Sequence, residues 1–570
     1  MSSSSKPTFI NTQTEVSPAP AEDPREDPQT ATKITEEPQI VHDEEAQNLS
    51  RGLHQRHTQM IAIAGAIGTG LFLGLGSSIQ TGGPLGALMG YALVGLVVCA
   101  VQIALGEVSA LMPVTGSFVR HVEILGDPGM AFAVGWNVVY GAFMSVPSEI
   151  SAAVVLIQYW TLDVNPAVWI TVLILMSASV ALLSVRVYGE VEFSLALVKV
   201  LLVIGIILMG LVIDLGGVKG QPRLGFRYWK EPGPFVEYIA TGTWGRFLGF
   251  WAVMTNAVYS FSGVESLAMA AAEMRNPRRN IPRACKRVFV RITLFYFLAV
   301  LIVGMLVRSD DPHLGDQSGT ATQSPFVIAA VRAGIHVVPS IINAGVLSSA
   351  WSASNQSILA GTRTLYGLAL KGHAPRIFLR TTNRGVPYMC SALQIAISCL
   401  SYLSCSNGAY TVFNWFLALT SAGVLVSWCT IVLNHIRMLY AFKAQQISPN
   451  RLPWHNFWSR KEMPYPTDDI GLTDVVYTSW FALILCIVFL LTGGFAVFTN
   501  GNWDPSGFVS SYLDIPLVLG FYLAYKFYHK TKFVSLHDIP LRQALYEADN
   551  DPENVPIRTS KWSRLNILWG

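Results

Sequence analysis

The sequence contains few charged residues for its length. Asp, Glu, Lys and Arg make up 13% of the 570 residues, whereas hydrophobic residues make up 51%. Soluble domains contain about 25% charged residues. Because a soluble protein of this size needs charge to cover its surface, the composition argues against a soluble enzyme and favours an integral membrane protein.

Cysteine is also scarce and shows no ligand spacing. The chain has seven cysteines, an odd number, and no C-x-x-C pair. Most of them lie inside apolar runs, as Cys99 and Cys486 do. This pattern argues against a disulfide framework and against a zinc site. We therefore predict no bound metal and no cofactor.

Motifs for catalysis are missing as well. The glycine-rich stretch GTGLFLG at residues 68–74 lacks the G-x-x-x-x-G-K-[ST] spacing of a phosphate-binding loop and follows no strand. The chain has no H-E-x-x-H and no G-x-S-x-G. We therefore predict no catalytic residues, no nucleotide site and no nucleic-acid partner.

The N-terminal segment lacks the apolar core of a signal peptide. Residues 1–50 contain ten Asp or Glu and three Lys or Arg, with many Ser, Thr and Pro. Such a segment cannot bury enough apolar surface to offset its chain entropy. We predict a disordered cytoplasmic tail at 1–56, a transporter domain at 57–529 and a second cytoplasmic tail at 530–570.

What the sequence does contain is a series of apolar runs. Each is near the length of about 20 residues that crosses about 30 Å of hydrocarbon. The runs predict twelve transmembrane helices, centred on residues 60–76, 84–106, 131–160, 167–187, 193–215, 245–271, 288–308, 326–360, 387–407, 410–434, 474–496 and 510–528.

The charges between these runs predict their orientation. Residues 273–291 contain seven Lys or Arg, whereas residues 309–330 contain three Asp and neither Lys nor Arg. Basic loops remain in the cytoplasm of membrane proteins. We therefore expect a multi-pass plasma-membrane protein with both termini in the cytoplasm.

Two of the runs are interrupted in the same way. Five glycines crowd the first run, between Gly65 and Gly76, and the sixth run contains Ser260-Phe261-Ser262-Gly263 near its middle. Close packing of helices through small residues is one interpretation. However, interrupted helices at matching positions in two halves indicate the central site of a transporter. We predict a five-plus-five inverted repeat in which helices 1 and 6 are broken and two further helices follow.

A broken helix in a membrane exposes backbone groups that must line a cavity. Free N–H groups at a half-helix N-terminus bind an anion, and free carbonyl groups on the opposite half-helix bind a cation. A small zwitterion such as an amino acid satisfies both. The predicted substrate-binding residues are Ala66, Ile67, Gly68, Thr69, Gly70, Phe261, Ser262, Gly263, Glu149 and Ser352.

These stretches resemble a known family. LHQRHTQMIAIAGAIGTGLFLG and FSGVESLAMAAAEMRNPRRNIPRA are similar to the first and sixth helices of fungal amino-acid permeases. These permeases form the yeast amino-acid transporter branch of the amino acid–polyamine–organocation superfamily. The stretch GWNVVYGAFMSVPSEISAAVVLIQYW is similar to their third helix. The resemblance covers about residues 50–530 and implies proton-coupled uptake of amino acids.

Ionisable residues inside the runs are costly in a bilayer and indicate function. Lys199 can be a snorkelling lysine, but the resemblance implies a proton-coupling role, because proton-coupled relatives carry a lysine in the fifth helix. Glu265 follows the second interruption, where it can carry a proton, bind the amine or hold the broken backbone in shape. Glu149 can line the substrate pocket or pair with a polar residue of helix 8 or 10. We predict proton coupling by Lys199 and Glu265.

Three other positions have two interpretations each. Phe261 can cover the bound substrate as a gate or can pack in the helix bundle. Ser352 and Asn355 can contact the substrate or form hydrogen bonds between helices. Glu107 closes the second run, and we predict a gate or cap there without substrate contact.

Together, these patterns and the family resemblance predict uptake of amino acids across the bilayer by alternating access, with proton coupling implied by Lys199 and the resemblance. Transport of a polyamine or a carnitine-like cation is the alternative within the same class, since two carboxylates near the pocket suit a cation. A nutrient sensor on the same fold is the alternative outside it. We expect ubiquitination and phosphorylation of the cytoplasmic tails, where Lys6 and Lys33 lie among acidic and Ser/Thr residues.

Overall fold

The structure, a computed structural model, describes residues 68–114, 116–182, 185–220, 222–265, 277–314, 324–382, 385–448, 475–499 and 501–550. All regular secondary structure in these ranges is helical, which confirms the predicted all-α class. The longer helices are α1 (Gly70–Leu111), α2 (Ser117–Leu125), α3 (Pro128–Ile157), α4 (Pro166–Ala181), α5 (Val185–Asp214), α6 (Gly242–Ser260), α7 (Pro277–Leu306), α8 (Val338–Leu370), α9 (Tyr388–Ser398), α10 (Ala409–Ala444), α11 (Val475–Thr492), α12 (Asp514–His529) and α13 (Leu541–Asp549).

Several of these helices can cross a membrane. Within the described residues, six segments are long and apolar enough, and they become seven if Pro505–Tyr512 and α12, bent by 46°, form one span. The other helices at predicted spans are shorter or more polar, as α4 and α8 are. The twelve-span count and the inverted repeat therefore stay predictions.

The element α1 contains the last part of the first predicted run and the whole of the second. Gly83 interrupts it with a φ of +78°, and Pro84 follows. A side chain at Gly83 would lie 2.6 Å from the carbonyl oxygen of Pro234, and the N–H of Leu85 donates to that oxygen at 3.0 Å. The approach of this connecting segment requires glycine at the interruption.

Local sequence signals fix the starts of two helices. The Asp127 carboxylate accepts a hydrogen bond from the N–H of Gly129 at 2.8 Å, and Pro128 occupies the first turn of α3. The Asn165 side chain does the same for Ala167 at 2.9 Å, with Pro166 in the first turn of α4. Both are N-caps followed by proline, the residue preferred at a first helical position.

The predicted eighth run, 326–360, contains two helices. Pro325–Arg332 ends at a turn in which Gly334 adopts a φ of +73°, and α8 begins four residues later. The apolar run continues through this turn because the turn itself contains few polar residues, so hydropathy does not mark it.

Helix α3 lies at the centre of the packing. Its most extensive contacts are with α8 and α10, whereas α1 has its most extensive contacts with α6 and α7. These pairings bring the N-terminal end of α1, the C-terminal end of α6 and the middle of α3 together, which positions the candidate site.

The first part of the predicted C-terminal tail is folded. The N–H of Val534 donates to the carbonyl of Gly126 at 2.8 Å, and the Gln445 side chain donates to the carbonyl of Ile539 at 2.8 Å. Leu541 and Ala544 on α13 are buried. This segment therefore packs against the ends of α2 and α10.

Candidate functional site

The two predicted interruptions contact each other. A side chain at Gly70 would lie 2.8 Å from the Cα of Ser260 and 2.9 Å from the Tyr259 ring. Gly70 opens the first turn of α1, which is π-helical, and Ser260 is the last residue of α6. Glycine at position 70 therefore lets the start of α1 approach the end of α6 at backbone distance.

The first interruption faces the Glu149 carboxylate. A side chain at Gly68 would lie 3.2 Å from Glu149 Oε1, which accepts a hydrogen bond from the Tyr259 hydroxyl at 3.0 Å. Thr69 is fully buried beside Gly68. The structure thus places Gly68, Thr69, Gly70 and Glu149 together, while Ala66 and Ile67 lie outside the described residues.

The second interruption is held by hydrogen bonds. After α6 ends, the Ser262 hydroxyl donates to the carbonyl of Tyr259 at 2.6 Å, and Gly263 adopts a φ of +89°. The N–H of Gly263 donates to Glu265 Oε1 at 3.2 Å, and Trp428 Nε1 donates to Glu265 Oε2 at 3.2 Å. These contacts favour the backbone-holding interpretation of Glu265 over that of a proton carrier.

Two side chains from other helices bond to carbonyl groups at this interruption. The Tyr296 hydroxyl donates to the carbonyl of Ser260 at 2.6 Å, and the Gln102 amide donates to the carbonyl of Val264 at 2.9 Å. The predicted amine site at residues 261–263 therefore lies between two carbonyls that are already paired. Neither Tyr296 nor Gln102 carries a sequence signal beyond being polar within an apolar run.

Phe261 lies in an aromatic cluster. Its side chain is 1% exposed, and its ring contacts Tyr296 at 4.7 Å and Tyr91 at 6.3 Å between centroids. Aromatic pairs at these distances stabilise packing. In this conformation the Phe261 ring packs against the rings of Tyr296 and Tyr91, as the packing interpretation requires.

Lys199 is fully buried on α5, among acidic groups. It interacts electrostatically with Glu192 on its own helix and with Glu149 on α3. A charge at this depth is tolerated when it pairs with others inside the bundle. Snorkelling of Lys199 to a headgroup does not fit a side chain with no exposed surface.

Ser352 contacts this charged cluster. Its hydroxyl donates a short hydrogen bond to Glu192 Oε1, and both residues are fully buried. Glu192 is a further residue of the site that is absent from the predicted set. Its sequence signal is its spacing from Lys199, because residues seven apart lie on one face of a helix.

Glu107 lies in a separate polar cluster. Its carboxylate is 2.6 Å from His435 Nε2, and His435 Nδ1 is 2.8 Å from the Ser479 hydroxyl. These buried residues join α1, α10 and α11. Glu107 therefore contacts neither interruption within the described residues.

The described residues bring backbone, carboxylates and an amine together. The backbone at Gly68 lies beside the Glu149 carboxylate, and the buried Lys199 interacts electrostatically with Glu149 and with Glu192. Within the described residues, no group of His, Cys, Asp and Glu could hold a metal ion.

Comparison with solved structures gives the fold. The chain resembles a manganese transporter of Eremococcus coleocola with a TM-score of 0.52 and 12% identity, covering 90% of this chain and 99% of the transporter. A mutant of the same transporter superimposes with a TM-score of 0.53 at 12% identity, covering 89% of this chain and 97% of the mutant chain. At this identity the similarity concerns the fold alone.

Sequence comparison gives the family. The chain is 36% identical to the dicarboxylic amino acid permease of Saccharomyces cerevisiae, over 87% of this chain and 80% of the permease. It is 36% identical to the proline-specific permease of Emericella nidulans, over 90% and 92%, respectively. It is 34% identical to the lysine-specific permease of S. cerevisiae, over 92% and 84%. The pattern of the amino acid permease family matches residues 57–538, and the chain therefore belongs to this family.

Proposed function

We propose that this membrane permease takes up amino acids together with protons by alternating access. The observation that carries the proposal is the contact between the two helix interruptions, at Gly70 and Ser260, beside the buried cluster that contains Glu149 and Lys199. Interrupted helices provide backbone groups for a zwitterion, and a buried lysine provides a group that can load and release a proton.

In the proposed complex, N–H groups of the Gly68-Thr69-Gly70 turn hold the substrate carboxylate. Backbone carbonyls at residues 261–263 hold the amine, with Glu149 and Ser352 at the edge of the pocket. Competition with amino-acid methyl esters tests this arrangement in a permease-deficient host. Esters lack the anion, so we expect them not to compete, and esters that compete as well as free amino acids contradict the carboxylate site.

The substrate side chain is best approached with a panel. The relatives are named for dicarboxylic amino acids, proline and lysine, so radiolabelled glutamate, proline and lysine are the first probes. We propose that Glu149 contributes to this choice, because its carboxylate faces Gly68 at the first interruption.

The buried carboxylate of Glu149 also favours a second function, the transport of a cationic substrate such as a polyamine. Lys199 interacts with Glu149 and offsets its charge, so we place this function second. Saturable uptake of spermidine without uptake of any amino acid in the panel would favour the cation transporter. Binding of an amino acid with no flux would instead favour a sensor.

Proton coupling is proposed to depend on Lys199. Replacement by alanine should leave substrate exchange intact but abolish accumulation driven by a proton gradient. If the Lys199→Ala protein still concentrates substrate, the coupling group is Glu149 or Glu265.

We further propose a plasma-membrane location with both termini in the cytoplasm, where ubiquitin ligases reach the tails. The orientation is supported by loop charge, with seven basic residues at 273–291 and none at 309–330. A protease-sensitive tag inserted at 315–320 should be cleaved when protease is added to intact cells, and the same tag at the N-terminus should be protected. The opposite pattern would reverse the orientation.

A further inference from the structure

We propose that Glu192 receives the proton from Lys199 and releases it into a cavity on the side of the basic loops. This inference rests on the proposed proton coupling and extends it with an exit route. Glu192 lies seven residues before Lys199, which is two helical turns or about 10 Å along α5. Both side chains are fully buried, and they attract each other electrostatically.

The Glu192 carboxylate is only partly satisfied. Oε1 accepts the hydrogen bond from Ser352, whereas Oε2 has no hydrogen-bond partner among the described residues. Buried polar atoms without a partner are uncommon in native proteins and require an explanation. Exchange of protons between Glu192 Oε2, Lys199 and water explains why this oxygen has no fixed partner.

A cavity begins one helical turn beyond this pair. It lies between α4, α5, α8 and the start of α9. Tyr188, four residues before Glu192, and Asn355, three residues after Ser352, line it together with Thr362 and Arg363. The cavity is therefore adjacent to Glu192 along both α5 and α8.

Two of its lining residues present unpaired polar atoms. The Asn355 side chain is 2% exposed, and neither its amide nitrogen nor its oxygen has a partner among the described residues. The Tyr188 hydroxyl is likewise unpaired there. Buried water is bound where several such polar groups line the same cavity. Water at Asn355 and Tyr188 would link Glu192 to the cytoplasmic side.

The proton transfer proceeds in two balanced steps. The Lys199 ammonium gives one proton to the Glu192 carboxylate, which leaves a neutral amine and a neutral carboxylic acid. The acid then gives this proton to a water molecule in the cavity, which restores the carboxylate and releases a hydronium ion. The other charged or titratable groups in this environment are Glu149, which acts on Lys199, and Tyr188, which interacts with Glu192 and Arg363.

The test uses the full chain purified into liposomes that contain a pH-sensitive dye. Radiolabelled proline, glutamate and lysine are supplied in turn, with and without an inward proton gradient. The wild-type protein must first accumulate one of them with protons. If it does not, the proposed function itself fails, whatever the variants do.

We expect Glu192→Gln to reduce substrate-coupled proton uptake by about 100-fold, the order of magnitude contributed by a positioned proton-transfer group. Exchange of labelled for unlabelled substrate without a gradient should continue, because the carrier can cycle without releasing its proton. Glu192→Asp, which keeps the carboxylate, should restore coupling. Glu190→Gln is the matched control, since Glu190 is exposed on the same helix.

Asn355→Leu provides a second variant that leaves Glu192 intact. It removes the amide from the cavity and should slow proton uptake while exchange continues. The proposal is overturned if Glu192→Gln takes up protons with substrate as the wild type does. It is also overturned if exchange and proton uptake fall together and Glu192→Asp restores neither, because Glu192 then has a structural role only.

Discussion

Replacing Gly70 with alanine tests the contact between the two helix interruptions. An alanine is favoured over glycine in a helix interior by about 1 kcal/mol. A glycine that only adds flexibility to α1 would therefore give a more stable protein when replaced. At Gly70, however, the new Cβ would lie 2.8 Å from the Cα of Ser260, a distance that real Cβ atoms essentially never show.

The backbone of Ser260 cannot rotate away as a side-chain end can. Overpacking of this kind costs about 1–3 kcal/mol. Against the gain of about 1 kcal/mol in helix propensity, we expect a net loss of up to about 2 kcal/mol. The two interruptions would also move apart, so uptake per folded molecule should fall with stability.

The matched control is Gly205→Ala in α5, where the added Cβ meets no atom within 4 Å. This variant should have the stability of the wild type or slightly more. The measurement is the thermal unfolding midpoint of each purified protein, together with its initial uptake rate. If Gly70→Ala raises the midpoint as Gly205→Ala does, the close approach of α1 and α6 is wrong.

Three further predictions concern carboxylates. Asp127→Ala should lower the free energy of unfolding by about 1 kcal/mol through loss of the α3 N-cap. The loss should be larger than for a cap alone, because Lys526 also bonds to Asp127. Chemical denaturation measures it, with Asp504→Ala as the control, since Asp504 caps the helix Pro505–Tyr512. Glu265→Gln should keep the wild-type ratio of protons to substrate, measured in liposomes. It should lose about 1 kcal/mol of stability, because one hydrogen bond is lost. A loss of coupling would instead identify Glu265 as the proton carrier. Burial raises the pKa of Glu123, but Lys371 and Arg120 outweigh this and hold the pKa below its usual range. The ion pairs of Glu123 therefore stabilise the fold at pH values above the unfolded-state pKa of Glu123. This stabilisation is lost as the pH falls through the lower folded-state pKa. The difference in melting temperature between the wild type and Glu123→Gln should therefore vanish in acid.

The basic outline of the fold could be predicted from hydropathy. Each predicted apolar run has a helix at its position within the described residues. The reason is that a helix crossing a bilayer needs about 20 consecutive apolar residues, and such runs are visible in the sequence. The turn at Gly334 was missed because hydropathy does not mark a turn inside an apolar run. The folded segment at 530–549 was missed because α13 is too short and too polar to resemble the other helices.

The candidate site was predictable only in part. The clusters Gly68-Thr69-Gly70 and Phe261-Ser262-Gly263 indicated the two stretches of backbone that meet at the site. The contact of Gly70 with the substrate stays a prediction, and no sequence signal indicated that a side chain at position 70 would meet Ser260.

The sequence by itself determined that this chain crosses a membrane, where its apolar runs lie and which family it resembles, since these follow from composition and from local motifs. Only the tertiary structure decided the partners of its buried charges. Glu192 pairs with Ser352, 160 residues away, and Glu265 pairs with Trp428, 163 residues away. A helix that is apolar on all sides gives no periodic signal for the face it turns towards its neighbours, because lipid and protein interior favour the same residues. The rotation of each helix, and with it the proposed path from Lys199 through Glu192, is therefore fixed by packing between helices.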